Sequence, residues 1–138
     1  MPQSYFLLEL HYMKEETQSI LKASLLEEKA TLERQLSEIG VKDETTKDWE
    51  AVPEQSEAES DENDLADRSE DFEERTATLN TLESRLREII HALEKIEKAD
   101  GTFGICEISG EEIEEDRLRA NPAARTCISH IDAPVSAL

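Results

Sequence analysis

Aromatic residues are scarce in this chain: Phe, Tyr and Trp together make up 4% of 138 residues. That argues against a large globular core, since aromatics supply much of the burial in such cores. Basic side chains are scarce too, 15 Lys and Arg against 34 Asp and Glu, for a formal charge of −19. Affinity for a duplex or an anionic membrane comes largely from Lys and Arg displacing counterions, so sequence-specific DNA binding and membrane-surface binding are not expected. Basic protein surfaces are the natural partners, although acid also serves plain solubility. No apolar run approaches the ~20 residues that span a bilayer. The greasiest N-terminal stretch, Tyr5–Met13, is short, carries Glu9 and lacks a basic leader and a cleavage site, so it does not read as a signal peptide. Two cysteines are too few for a disulfide scaffold. A Cys106–Cys127 disulfide stays open as an alternative, but thiols beside a histidine suit a reducing cytoplasm better.

Leu and Ile are present in quantity and regularly spaced, which predicts helices packed on helices. From Met13 to Ile39, Leu25, Leu32 and Ile39 recur every seven residues, with Leu21 and Leu36 on the same flank. Gly40 follows as a candidate helix stop. From Leu65 to Lys98 the pattern is stronger. Phe72, Leu79, Leu86 and Leu93 form one seven-residue series, and Leu82, Ile89 and Ile96 a second; Arg75 is the one non-apolar member. A helix of ~30 residues would be ~45 Å long and could not bury its stripe alone. The first helix is the expected partner; a homodimeric seam is the alternative. Residues 41–66, with Pro53, dense acid and a lone Trp49, read as an irregular connection with a docking point at Trp49 and Val52.

The expected fold class is therefore mainly α: a long antiparallel helical hairpin (coiled coil) over 13–99, its acidic connection 41–66 at the tip, and a small C-terminal zinc-finger-like unit over 100–138. Residues 1–12 read as an N-terminal extension. Either Met13 is the biological start, or Phe6, Leu7 and Leu10 add a helical turn. In the C-terminal unit, Gly104, Gly110 and Pro122 mark turns, and Ile105, Ile108, Ile113 and Leu118 are the expected core.

That unit carries the inorganic chemistry. Cys106 stands three residues before Ser109, and Cys127 three before His130. Two residues between ligands let both donors of a pair face one point, and structural zinc takes two such pairs. Cys127 and His130 satisfy this. Ser109 departs from it, because a serine hydroxyl keeps its proton near neutral pH whereas cysteine gives its proton up on binding. Two readings follow: zinc on Cys106, Cys127 and His130, with water or a nearby carboxylate as fourth ligand and Ser109 at the weak position; or a metal-free unit resting on its isoleucine core and on packing against the helices. No general base is placed beside an open zinc site, so no catalytic residue is assigned and no enzyme activity is expected.

The stretch Gly104–Gly110 (GICEISG), the segment RLRANPAARTC with Arg117, Leu118, Ala120, Pro122 and Cys127, and the closing His130 resemble the DksA/TraR zinc-finger family. The family pattern is G-x-C-x2-C-G, then R-L-x-A-x-P-x-A-x2-C and a last ligand; Ser109 replaces the second cysteine. Family members also carry a D-x-x-D-x-A motif at the tip of a coiled coil, and Asp61, Asp64 and Ala66 match it. Alone, Asp64 would read as a residue that helps start a helix. The resemblance implies a transcription regulator that binds RNA polymerase. Its coiled coil would enter the secondary channel, with Asp61 and Asp64 near the active centre and Ala66 permitting close packing. It also implies action with the alarmone ppGpp in the stringent response, a cytoplasmic location and a monomer. The competing reading is an acidic coiled-coil adaptor that retains a relic finger.

Overall fold

The computed structural model describes residues 2–53 and 62–138, with side chains described for 15–53 and 65–138. Helix α1 runs Pro2–Ile39, strands β1 and β2 cover Gly40–Lys42 and Trp49–Ala51, and helix α2 runs Glu62–Lys98. A short helix α3, Glu115–Ala120, and a single 3-10 turn, Ile128–His130, complete the C-terminal unit. The fold class is the expected one: long helices and a small knuckle-bearing end. The α1 backbone is helical well upstream of Met13, starting at Pro2, where a missing N–H costs nothing in the first turn.

Compactness divides the chain into residues 1–29 with 88–138, and residues 30–87. The C-terminal unit thus clusters with the neighbouring stretches of both long helices, whereas the hydrophobic pattern suggested a division near residue 99.

In the 30–87 unit, Leu32 and Leu36 of α1 and Leu79 and Leu86 of α2 are buried. Each contributes about 1.5–3 kcal/mol. Exposed pairs such as Lys47–Glu44 are worth about 0–1 kcal/mol, so the leucines dominate. The connection is not wholly irregular. Strands β1 and β2 form an antiparallel ribbon with Gly40 opposite Ala51, Val41 opposite Glu50 and Lys42 opposite Trp49. Its turn is built by Asp43, whose carboxylate accepts the N–H groups of Thr45 (2.8 Å) and Thr46 (3.2 Å), an Asx-type turn. Lys47 closes it at φ 65°.

Gly40 is not the left-handed helix stop anticipated from sequence; the positive-φ glycines are Gly101, Gly104 and Gly110. Gly40 is required for room. A Cβ there would lie 2.6 Å from the Glu50 carbonyl oxygen and 2.6 Å from Leu79 Cδ1. The ribbon is pinned further by Val52 N–H donating to Ile39 O at 3.0 Å. Arg75 explains its own place in the apolar series: its guanidinium donates to the Val52 carbonyl at 3.2 Å. Phe72, one turn before it, is 39% exposed, so the apolar seam of α2 begins at Leu79 rather than at Phe72. Buried Glu83 accepts from Arg87 (2.7 Å) and from the Trp49 N–H (3.5 Å), which satisfies a carboxylate that would be costly unpaired.

In the other unit, Leu21 and Leu25 of α1 and Ile89, Ala92 and Ile96 of α2 are buried. Helix α2 ends with Ala99 in the left-handed region (φ 50°) and Asp100 accepting from the N–H and hydroxyl of Thr102.

Candidate metal centre

Two knuckles build the site. In the first, Cys106 N–H donates to Glu111 O (2.7 Å), Gly110 N–H to Cys106 O (2.9 Å) and Ile113 N–H to Gly104 O (2.8 Å). Gly104 and Gly110 take φ 79° and 74°, positions where an L side chain would be strained. In the second, His130 N–H donates to Cys127 O at 3.0 Å. Glu107 N–H reaches Arg125 O at 2.9 Å and joins the two.

The RLRANPAARTC segment holds the second knuckle in place. Leu118 of α3 packs in a buried cluster with Leu21, Cys106, Ile113 and Cys127. Arg117 Nε donates to Thr126 O at 2.6 Å and its Nη2 to Thr126 Oγ1 at 3.2 Å, fixing the residue before Cys127. Asn121 Oδ1 accepts the Ala123 N–H at 3.2 Å. Of the four residues expected in the small core, Ile113 and Leu118 are buried and Ile105 is half-buried. Ile108 is 45% exposed, because it lies on the turn between Cys106 and Ser109 and points away from the cluster.

The donor atoms of Cys106, Cys127 and His130 lie within 4.8 Å of one another. Cys127 Sγ and His130 Nδ1 are 3.2 Å apart. A tetrahedral zinc with bonds of about 2.0–2.3 Å separates its ligands by about 3.6–3.8 Å, so the trio fits one ion. Both thiols are nearly sealed, Cys106 at 1% and Cys127 at 2% exposure, and neither is in a disulfide. Burial pushes the Cys106 thiol up, but hydrogen bonds from the Ser109 side chain and from backbone N–H groups outweigh it and hold the thiol near 6. A thiolate is the form that binds metal. Ser109 N–H approaches Cys106 Sγ at 3.5 Å, and Ser109 Oγ stands 4.0 Å from Cys127 Sγ.

A charged cluster beside the site was not anticipated from sequence. Glu107 receives Arg125 through both carboxylate oxygens (2.8 and 2.9 Å) and Lys95 Nζ at 2.9 Å, with His91 Nε2 at 3.2 Å. The Arg125 hydrogen bonds come first among the causes that hold the Glu107 carboxyl low, near 2, against an opposing push from burial; Lys95 adds to them. Only the i, i+4 spacing of His91 and Lys95 signalled it. Glu114 is committed elsewhere: its carboxylate accepts the Ile128 N–H at 3.0 Å, and its own and the Ile128 backbone N–H hold its pKa down. The tip residues are less fully placed. Asp61 lies outside the described residues, Asp64 falls in the first turn of the α2 backbone with its side chain outside them, and Ala66 is exposed on α2.

Two long helices and a C-terminal two-knuckle unit with three candidate metal ligands define a class of zinc-finger protein, and the comparisons agree. The prokaryotic dksA/traR C4-type zinc finger profile matches residues 101–129. The structure of transcription factor DksA2 from Pseudomonas aeruginosa superposes with a TM-score of 0.63 at 27% identity, covering 88% of this chain and 84% of that one. A protein of uncharacterised function from Aquifex aeolicus is 41% identical over 122 residues, 83% of this chain and 74% of its own length. The uncharacterised protein YteA of Bacillus subtilis is 56% identical over 41 residues, 30% of this chain and 16% of its own. The chain belongs to the DksA/TraR zinc-finger family.

Proposed function

We propose that this protein regulates transcription by binding RNA polymerase through its secondary channel, with Asp61 and Asp64 approaching the active centre. The observation that carries the reading is the extent of the likeness to a transcription factor, 84% of DksA2 rather than the finger alone. Asp64 and Ala66 of the D-x-x-D-x-A motif fall in the first turns of the α2 backbone and support it. A chain of charge −19 competes poorly for DNA but complements basic protein surfaces. The knuckle unit serves as the base of the hairpin, with zinc held by Cys106, Cys127 and His130. The protein acts as a cytoplasmic monomer, and ppGpp modulates it.

Pull-down of polymerase core and single-round transcription, with and without ppGpp, test this. Wild type retains core and changes initiation. Asp64→Asn keeps its helical circular dichroism and loses the transcriptional effect by tenfold or more in the titration midpoint. A variant that regulates like wild type rejects the tip mechanism. A wild-type protein that leaves core unbound and forms concentration-dependent oligomers points to an adaptor.

A further inference from the structure

We infer that the metal centre is three-coordinate from the protein and keeps an open fourth position, lined by Ser109, that takes an exchangeable small ligand: water at rest, displaceable by a small anion. The inference rests on the reading of Cys106, Cys127 and His130 as zinc ligands.

Three observations carry it. First, no carboxylate joins the ligand group among the described residues. Two carboxylates of the unit are engaged elsewhere: Glu107 by Arg125 and Lys95, and Glu114 by the Ile128 N–H. Second, Ser109 occupies the fourth place in the spacing of the two ligand pairs, and its Oγ is 4.0 Å from Cys127 Sγ. Direct ligands of one zinc would be about 3.6 Å apart, and a neutral hydroxyl is a poor donor to the ion. The Glu111 N–H donates to Ser109 Oγ at 3.3 Å, which leaves the hydroxyl proton for a knuckle sulfur, Cys106 or Cys127, or for a bound water. Third, the two cysteines are buried while Ser109 is exposed and His130 half-buried, so solvent can approach the site from the serine and histidine side but not past the cysteines. Sites with four protein ligands are closed, whereas three-ligand sites hold a replaceable fourth. Ser109 is a positioning residue here rather than a ligand.

Cobalt(II) reports coordination through its visible d–d bands. The test loads wild type, Ser109→Ala and Ser109→Cys with cobalt and titrates each with sodium azide, with circular dichroism as a control for folding. Wild type is expected to give tetrahedral bands that shift with azide. Ser109→Ala should bind cobalt within about tenfold of wild type, the range of an outer-shell contact, and shift likewise. Ser109→Cys should show stronger sulfur-to-cobalt charge transfer and no azide shift, because a third thiolate closes the site. Wild-type bands indifferent to azide overturn the inference and leave the metal centre standing. So does loss of the bands in Ser109→Ala, which would make the serine a direct ligand. An equal azide shift in Ser109→Cys also overturns it, since the anion would then act elsewhere. No cobalt spectrum in any variant overturns the metal centre itself.

Discussion

Glu107 shows how much one residue next to a ligand can carry. Its carboxylate gathers Arg125 from the second knuckle and Lys95 and His91 from α2, while its backbone N–H joins the knuckles. The folded carboxyl titrates near 2 against an ordinary 4.5. A depressed folded pKa stabilises the protein above the unfolded pKa, and that stabilisation is lost as pH falls from about 4.5 towards 2. Water reaches this carboxylate and screens its ion pairs, so the contribution is on the order of 2 kcal/mol at neutral pH. Glu107→Gln is therefore expected to unfold at lower urea at pH 7, by about 2 kcal/mol. The gap between the two proteins should then narrow steadily as pH falls below 4.5. Metal release in acid acts on both proteins, so the gap, rather than either curve, decides. A gap that is constant between pH 7 and pH 3 would rule out the ion pairs as its source.

At the scale of elements, the ribbon depends on Gly40 for space. Alanine there would set a Cβ 2.6 Å from a backbone oxygen and from Leu79 Cδ1. A leucine can turn aside but a strand carbonyl cannot without breaking the pairing, so Gly40→Ala should cost about 1–3 kcal/mol, read as a lower urea midpoint. A neutral result would mean that the ribbon adds nothing to the fold. The ribbon was poorly legible in sequence because its turn contains no glycine or proline and sits in dense acid; the Asp43 Asx turn was its one signal. The helices were legible. On α1 the buried positions are Leu21, Leu25, Leu32 and Leu36, with Ile39 half-buried. Leu25, Leu32 and Ile39 keep the expected seven-residue spacing, and Leu21 and Leu36 flank them, so that Leu21/Leu32 and Leu25/Leu36 also recur after eleven residues. On α2 the seven-residue series held from Leu79, where Leu79, Leu86, Ile89 and Ile96 are buried. At the N-terminal end of the two series Phe72 is 39% exposed and Arg75 serves the Val52 carbonyl.

At the scale of the molecule, the metal trio was legible because ligand spacing is a local property of turns. The Glu107 cluster was not, since it joins residues that only the fold brings together. The C-terminal unit was bounded in sequence at residue 100 with packing against the helices expected, and its buried cluster does include Leu21 from α1; two of its members, Cys106 and Cys127, are candidate metal ligands. A metal held there would share its ligands with the apolar core of this unit, and the two would fold as one cooperative structure. Domains below about 40 residues usually need a metal, a disulfide or a partner to fold, and metal binding energy is folding energy in such units. The 30–87 unit has its own buried leucines and its own ribbon. Chelation followed by hydrogen exchange is therefore expected to deprotect the amides of Cys106, Gly110, Ile113 and His130, which close the knuckles, by tenfold or more. The amides of residues 79–87 should keep their protection. Equal loss in both regions would make the chain a single cooperative block. No loss in either would mean that the isoleucine and leucine core holds the knuckles without metal, and that Cys106, Cys127 and His130 are drawn together by packing alone.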